Sequence, residues 1–516
     1  MDTGTRIPTK TTIPSAVTDD VVSSPSPTTV IRVQNDKERG RASPQATSSL
    51  VDAETFQRDL YPARNLPNDI LRQIVLEWCH LESKNELRGR FVDCLNTSQP
   101  HWRCAQVSRS WRQAAFSCTH LWTSIGIQIP AVTAPESKKI AMVHNLTSLL
   151  RWTGSLPLAV EVRSYHHFNP DHRLFSVIRS HSSRWKTLRL SFYFAFSGID
   201  KWESIILSMN GRVPLLRSLH LDFQSRRPRF VLEAFNAPNL TEVIVDGVDD
   251  SLHFTINIPW NQITVFGAHS GIVHLHKMSS LVHYYDANFV CPTGPQIDLS
   301  HMESMVLVCQ WPFRVVDLER LQMSDRFTEL HLYKTETNPD GSLESLAPFL
   351  LRWGSSLQTL CLDSTTIAEP LLVRVLEHLK SLRSLTLNYR QTAKSNLLLA
   401  LANTQFLPQL YKLSLLGFPL FRGAEIVGVL SARLLHNRGT LRKLGIPSGY
   451  VKIFDKDLDR FRACGLQIKG TGDKGTESGC TEITQYYQRI LVGCDSVNRD
   501  DDWSSRLNVY LATRIY

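Results

Sequence analysis

The sequence predicts an α/β repeat protein with a disordered N-terminal tail, a small helical domain, and an irregular solenoid of repeats built on a parallel sheet. Three observations support this prediction. The N-terminal residues lack any hydrophobic period, the stretch that follows has helical spacing, and the remainder repeats one six-residue pattern of apolar positions. A chain of 516 residues is also too long for one compact core, which favours an elongated array.

Residues 1–55 form the predicted tail. They are rich in Ser, Thr and Pro and show no apolar period, as in the run from Ser23 to Thr29. Such a segment buries too little apolar surface to offset the entropy lost when a chain becomes ordered. We therefore expect it to be disordered. Its start has no apolar signal segment, and nowhere does the chain hold the roughly 18 consecutive apolar residues of a membrane span.

The composition is that of a globular protein, with 42% hydrophobic and 20% charged residues. The formal net charge of +9 is scattered along the chain and includes no long run of one sign. This distribution predicts weak nonspecific attraction to acidic surfaces and no nucleic-acid partner. The ten cysteines include no Cys-x-x-Cys pair, so we expect no disulfide framework and a reducing compartment, cytoplasmic or nuclear.

The helical domain is predicted over residues 60–128. Pro67 suits the first turn of a helix, where its missing N–H is not needed, and Asp69 would lie near the positive end of the helix dipole. Ile70 and Ile74 then recur at a spacing of four with Trp78, which indicates one apolar face of a helix.

A second short helix is predicted further along this domain. Val107, Trp111 and either Ala114 or Ala115 would share one face of it, and its other positions are polar and basic. Neither predicted apolar face is large enough to form an independent core. The two helices therefore need a partner surface, either elsewhere in the chain or on another protein.

Together these residues resemble an F-box, specifically the F-box-like domain that precedes a leucine-rich repeat region in large fungal families. In that family the Leu-Pro corner and the two apolar helix faces dock onto the Skp-type adaptor of a cullin-RING ubiquitin ligase. An alternative is that the stretch is only a helical cap on the first repeat, with Trp111 and Trp122 buried in it. The resemblance includes Arg112 and Leu121-Trp122 and implies that the adaptor-facing residues are Leu66, Pro67, Ile70, Leu71, Ile74, Val107 and Trp111.

The solenoid is predicted over residues 140–470, because a unit with apolar residues at its first, fourth and sixth positions recurs there. The spacing between units is close to that of leucine-rich repeats, and each unit predicts a short parallel strand followed by a crossover such as the helix 369–379. Residues 471–516 are predicted to form a flexible loop and a C-terminal cap. Units begin at Trp185, Leu216, Leu240, Trp260, Met302, Phe327, Leu357, Leu382, Leu410 and Leu441, with a degenerate copy at Leu281.

Between the apolar positions of each strand, polar side chains should point out from the concave face of the solenoid. This mixed row of acids, bases, hydroxyls and aromatic groups is typical of a protein-binding surface. The alternative is a solvated sheet face that binds nothing, since exposed polar residues need no special explanation. The candidate substrate-binding residues are Arg189, His220, Asp222, Asp246, His331, Tyr333, Asp363 and Asn388.

Catalytic motifs are almost absent from the sequence. The run from Gly470 to Gly475 fits a dinucleotide fingerprint, but the helix, second strand and acidic ribose partner that such a site needs do not follow it. His166-His167 and the His274/His276 pair have no further ligand at metal-binding spacing. We therefore expect no enzyme, cofactor or metal.

The function predicted by the resemblance is a substrate-recognition adaptor that links an unknown protein to a Skp-cullin-RING ubiquitin ligase. The alternative is a leucine-rich repeat scaffold that binds a protein and has no ligase role.

Overall fold

The computed structural model gives the arrangement of a long central part of the chain, all of it within one compact unit, residues 63–516. The predicted disordered tail lies outside the described residues, as do residues 472–516. The structure describes residues 66–85, 92–93, 96, 99–131, 133–164, 173–192, 212–223, 231–232, 236–246, 255–256, 258–268, 275–286, 296–309, 318, 320–334, 346–363, 369–388, 396–416, 423–435, 440–447, 451 and 455–471.

The described residues form a mixed α/β structure. The helices are α1 Asn68–Asn85, α2 Pro100–Val107, α3 Arg109–Ser117, α4 Glu136–Trp152, α5 Arg173–Arg179, α6 Leu346–Trp353, α7 Glu369–His378, α8 Asn396–Ala402, α9 Gly423–Leu430 and α10 Asp455–Ala463. The strands are β1 Val92–Asp93, β2 Ser124–Gln128, β3 Leu158–Ser164, β4 Trp185–Phe192, β5 Ser218–Phe223, β6 Val231–Leu232, β7 Glu242–Asp246, β8 Thr255–Ile256, β9 Val265–Ala268, β10 His283–Asp286, β11 Ile297–Asp298, β12 Ser304–Cys309, β13 Leu321–Gln322, β14 Glu329–Lys334, β15 Thr359–Asp363, β16 Ser384–Asn388, β17 Lys412–Leu416, β18 Lys443–Pro447 and β19 Gln467–Thr471.

One long parallel sheet dominates the fold, as the repeats predict. It contains fifteen strands in the order β1-β2-β3-β4-β5-β7-β9-β10-β12-β14-β15-β16-β17-β18-β19, while β6 pairs with β8 and β11 pairs with β13. Leu330, Leu360 and Leu385 are register partners on successive strands and are fully buried. A continuous row of apolar side chains thus joins repeats that could not form a core alone. The repeat-like solenoid and the crossover helix α7 are confirmed.

The unit predicted to begin at Trp260 is out of phase by three residues. Register pairs Phe266 with Val243, so the unit that matches its neighbours begins at Ile263 and continues through Phe266 to Ala268. All three of these side chains are buried, with exposures of 4% or less. The pattern of apolar residues fits both phases, and only the pairing with β7 selects one.

The sheet also begins earlier than the predicted boundary at residue 140. Ile125 of β2 pairs with Val160 of β3, which in turn pairs with Leu188 of β4. Trp122, assigned from sequence to the end of the helical domain, is therefore also the first residue of a repeat unit. The helical region and the solenoid share one hydrophobic core and lie within one compact unit.

The second predicted helix is two helices. Ser108 has an extended backbone, with φ −158° and ψ 174°, and its hydroxyl accepts a hydrogen bond from the backbone N–H of Trp111 at 3.3 Å. Serine favours this capping position because it satisfies an N–H that has no partner inside the helix. Val107 therefore ends α2, while Trp111 and the buried Ala114 and Ala115 belong to α3.

Successive repeats are also joined by side chains at the N-terminal edge of the strands. The residue just before a unit is polar in several repeats and donates a hydrogen bond to a main-chain carbonyl of the preceding repeat. These bonds satisfy carbonyl groups that the strands themselves leave free. The pairs are Asn239 with Pro214 at 2.6 Å, Gln262 with Leu240 at 2.9 Å, Ser356 with Phe327 at 2.8 Å and Thr440 with Leu410 at 2.9 Å.

The last strand, β19, contains the first two residues of the glycine-rich run, Gly470 and Thr471. The prediction of a loop starting at residue 471 is therefore wrong for Thr471, and the remainder of the run lies outside the described residues. Across the part of the chain that the structure describes, no helix combines the length and the hydropathy needed to cross a membrane.

Candidate functional site

The helical region presents three large aliphatic side chains to solvent. Ile70 and Ile74 lie one turn apart on α1 with exposures of 44% and 36%, and Val107 at the end of α2 is 57% exposed. Pro67, which precedes α1, is exposed as well, and Leu66 is half-buried. Four of the seven residues that the resemblance assigns to adaptor binding are thus at the surface, on elements that are packed together.

Besides the half-buried Leu66, two further assigned residues have different surroundings. Leu71 is fully buried, as is Val75 one turn further on, so the chain itself covers this side chain, which the resemblance assigns to adaptor binding. The reason is the helical period, which turns Leu71 about 100° away from Ile70. Trp111 is half-buried and packs against the same core, which leaves only part of its ring for a partner.

Specific hydrogen bonds hold the three helices in place. Arg72 on α1 donates from Nε to the hydroxyl of Ser117 on α3 at 2.8 Å. Arg112 on α3 donates to the carbonyl of Ala105 on α2, also at 2.8 Å. These bonds fix the relative positions of the elements that carry Ile70, Ile74 and Val107.

An aromatic cluster attaches this region to the sheet. Trp122 and Trp102 pack against Trp152 at the end of α4, with ring centroids 5.2 and 5.8 Å from it, and Phe116 stacks on Trp152 at 4.1 Å. His101 lies against Trp122, and burial lowers the pKa of His101 to about 4. The helices therefore cap the N-terminal end of the sheet, as the alternative interpretation of the sequence predicts for Trp122.

The polar face of the sheet, which the repeat pattern predicts to be the concave face, carries a charged cluster on β3 to β5. Glu161 is 1% exposed and forms ion pairs with Arg163 at 2.5 Å and Arg189 at 3.3 Å. His220 follows Arg189 in register and is buried; burial and the nearby Arg189 hold its pKa well below the usual value. Asp222, two residues further along β5, is also buried. Sequence reasoning missed Glu161 because the unit of β3 begins at Pro157 and not at an apolar residue.

A second concave cluster centres on β14. The imidazole of His331 lies between the Glu329 carboxylate at 3.0 Å and the Tyr333 hydroxyl at 3.2 Å. The thiol of Cys361 on the next strand donates to the same hydroxyl at 3.4 Å. His331 and Tyr333 are 7% and 3% exposed, so this network forms part of the structure of the sheet face.

The central row of the concave face is therefore less accessible than the sequence predicts. His220, Asp222, His331 and Tyr333 are buried, and Arg189 keeps 17% of its side chain exposed. Neighbouring strands lie only about 4.8 Å apart, so their side chains cover one another. The remaining candidates, Asp246, Asp363 and Asn388, lie in strands, but their side chains are outside the described part.

The described residues contain no group of three or more His, Cys, Asp or Glu side chains that could hold a metal ion. Comparison of the chain with protein-family models and with curated proteins finds no match.

Proposed function

We propose that this chain is an F-box-like adaptor. Its helical region binds a Skp-type protein, and its solenoid, of the leucine-rich repeat type, presents a client protein to a cullin-RING ubiquitin ligase. The chain contributes no chemistry of its own and acts by raising the effective concentration of the client near the ligase.

The observation that carries the proposal is the exposure of Ile70, Ile74 and Val107. These side chains lie on helices whose opposite faces are well packed, so their exposure is not a sign of a loose fold. Three exposed aliphatic groups on helices that pack together, with an exposed proline just before the first helix, suit the centre of a protein interface, where an apolar patch is buried on binding.

The test is binding of the full chain to a purified Skp-type adaptor. Ile70→Asp combined with Ile74→Asp places two charges in the docking surface, and Val107→Asp provides an independent variant. Ile140→Asp is the matched control, because Ile140 on α4 is 56% exposed but lies outside the proposed surface. We expect wild type and the control to bind and the other variants to lose binding while keeping the same circular dichroism spectrum.

A second candidate function is a protein-binding scaffold without a ligase role. The shared core around Trp122 and Trp152 favours it, since a helical cap that protects the end of a solenoid needs no external partner. Absence of adaptor binding by the folded wild-type chain would support this scaffold and overturn the adaptor.

A further inference from the structure

A polar groove lies at the N-terminal edge of the sheet, where β14 to β17 begin. Its volume is about 490 Å³, which is within the size range of sites that bind ligands. Side chains from four successive repeats line it, and all of them are polar. Besides Ser356, they are Asp325, Ser355, Gln358, Ser381, Arg383 and Gln409.

The groove coincides with an interruption in the hydrogen bonds that join successive repeats at this edge. Ser356, which comes just before a repeat unit, donates from its hydroxyl to the carbonyl of Phe327 in the preceding repeat at 2.8 Å. Ser381 and Gln409 come just before the next two units, but their side chains form no hydrogen bond within the described part of the chain. The polar groups of these two residues are therefore available to a ligand.

Asp325 and Arg383 place opposite charges in the groove. Neither side chain forms an ion pair or a hydrogen bond with another described residue. Asp325 precedes β14 and Arg383 precedes β16, so the two residues are separated by two strand steps, about 10 Å. Every other lining side chain is a serine or a glutamine, which is neutral and can both donate and accept hydrogen bonds. The groove thus suits a ligand with both charge signs and both kinds of hydrogen-bonding group.

An extended polypeptide has this chemistry. Each residue of its main chain offers one N–H and one C=O, which the hydroxyls and side-chain amides of the groove can match. The phosphates of a nucleic acid only accept hydrogen bonds, and Asp325 would repel them. Arg326, Lys380 and Arg442 are exposed at the same edge of the sheet but do not line the groove.

A tyrosine lies next to the groove and offers apolar contact area. The backbone N–H of Arg383 donates to the carbonyl of Gln358 at 2.8 Å, and the N–H of Tyr411 donates to the carbonyl of Arg383 at 2.7 Å. Tyr411 is thus the next residue in the row that contains Gln358 and Arg383, and 44% of it is exposed. Tyrosine and arginine are enriched among the residues that dominate the energy of protein interfaces.

We propose that this groove binds an extended polypeptide segment. In that segment an acidic residue faces Arg383, and a basic residue about three positions away faces Asp325, because an extended chain rises about 3.3 Å per residue. The inference rests on the proposed function only in naming the bound protein a client, because the groove does not involve the helical region. The affinity should fall as salt screens the two charged contacts.

The test selects a phage-displayed library of random twelve-residue peptides on the full chain and measures the affinity of the selected peptides by fluorescence anisotropy. One variant combines Gln358→Ala with Arg383→Ala, and a second, Ser355→Trp, fills the groove from an exposed position. The matched control combines Gln322→Ala with Arg374→Ala, which removes the same residue types from exposed positions outside the groove. We expect the dissociation constant to rise about tenfold in the two groove variants, since each loses exposed polar contacts, and by less than about twofold in the control.

Selected peptides that bind the groove variants as tightly as wild type would overturn the site, and so would failure to select any peptide. Selected peptides that lack either an acidic or a basic residue would overturn the charge pairing with Asp325 and Arg383. Tighter binding of a single-stranded oligonucleotide, lost in the groove variants, would replace the polypeptide with nucleic acid. Adaptor binding by the groove variants should equal that of wild type, so failure of this site and failure of the adaptor function can be told apart.

Discussion

The indole rings of Trp122 and Trp152 pack against each other with their centroids 5.2 Å apart. Trp122 also donates a hydrogen bond from Nε1 to the carbonyl of Ala115 at 2.9 Å, so one side chain connects α3 with α4. Because Trp122 is fully buried, the helical region depends on the first repeats for part of its core.

A fragment that ends at residue 130 should therefore fold poorly. It lacks both Trp152 and the strand β3 that pairs with β2. We expect residues 63–130 to give a broad, non-cooperative urea transition and residues 63–192 to give a cooperative one. A cooperative transition in the shorter fragment would show that the aromatic cluster is dispensable.

Truncation of the leucine row should destabilise the solenoid. Leu385 is fully buried in the centre of β16, so Leu385→Ala should lower the free energy of unfolding by about 2–5 kcal/mol. Leu399 on α8 is 66% exposed, and Leu399→Ala should change it by less than about 0.5 kcal/mol. Chemical denaturation of the two variants measures the contrast, and similar losses would be inconsistent with the assigned register.

Arg433 should be a structural residue of the C-terminal repeats. It lies in the helical turn Ser431–Leu435, is 3% exposed, and donates to the carbonyls of Leu407 and Asn403 at 3.2 Å and to those of Leu401 and Phe406. Burial lowers the pKa of Arg433 to about 10, so the guanidinium stays charged at neutral pH. A positive charge at the C-terminal end of α8 interacts favourably with the helix dipole.

We expect Arg433→Leu to cost about 3 kcal/mol or more, because several buried carbonyls lose a charged donor. The exposed Arg383→Leu is the control and should cost less than about 0.5 kcal/mol. Hydrogen exchange should show lost protection confined to α8, α9 and their neighbours. Unchanged protection around α8 would contradict this role.

His101 should make stability fall in mild acid. The pKa of His101 is about 4 in the folded chain and near 6.5 in the unfolded chain. Between pH 6.5 and 4, the imidazole is therefore protonated in the unfolded state and neutral in the folded state. Stability is therefore intact at pH 7 and declines between pH 6.5 and 4, by up to about 3 kcal/mol.

The variant His101→Gln removes this titration while the carboxylates and other histidines remain. The difference in unfolding free energy between wild type and the variant should change with pH in that interval and be constant above pH 7. Parallel profiles of the two proteins from pH 7 to 4 would contradict the buried, neutral state of His101.

The periodicity of the chain predicts much of this fold. The start of α1, the crossover helix α7 and most strands lie where apolar residues recur at helical or repeat spacing, because each such element must bury one face. Glu329, His331 and Tyr333 likewise occupy the concave positions that alternation along a strand assigns to them.

Other features required the three-dimensional arrangement. The phase of the repeat unit that begins at Ile263 was decided by the pairing of Phe266 with Val243, because the apolar pattern fits two phases equally. Ser108 divides the predicted helix into two, because its side chain caps a new helix at a position where the apolar face alone predicts one continuous helix. The central side chains of the concave face are buried by neighbouring strands that are distant in sequence, so no local pattern could predict their exposure.

The sequence by itself thus determined the parallel repeat sheet, since few folds can bury apolar side chains that recur at this spacing. Tertiary structure decided what surrounds that sheet: Trp122 and Trp152 join the helices to one end, and the pairing of successive repeats lines a groove at its N-terminal edge with Gln358, Ser381 and Arg383. Both outcomes depend on contacts between residues far apart in the chain, whose distances are set by packing and strand pairing.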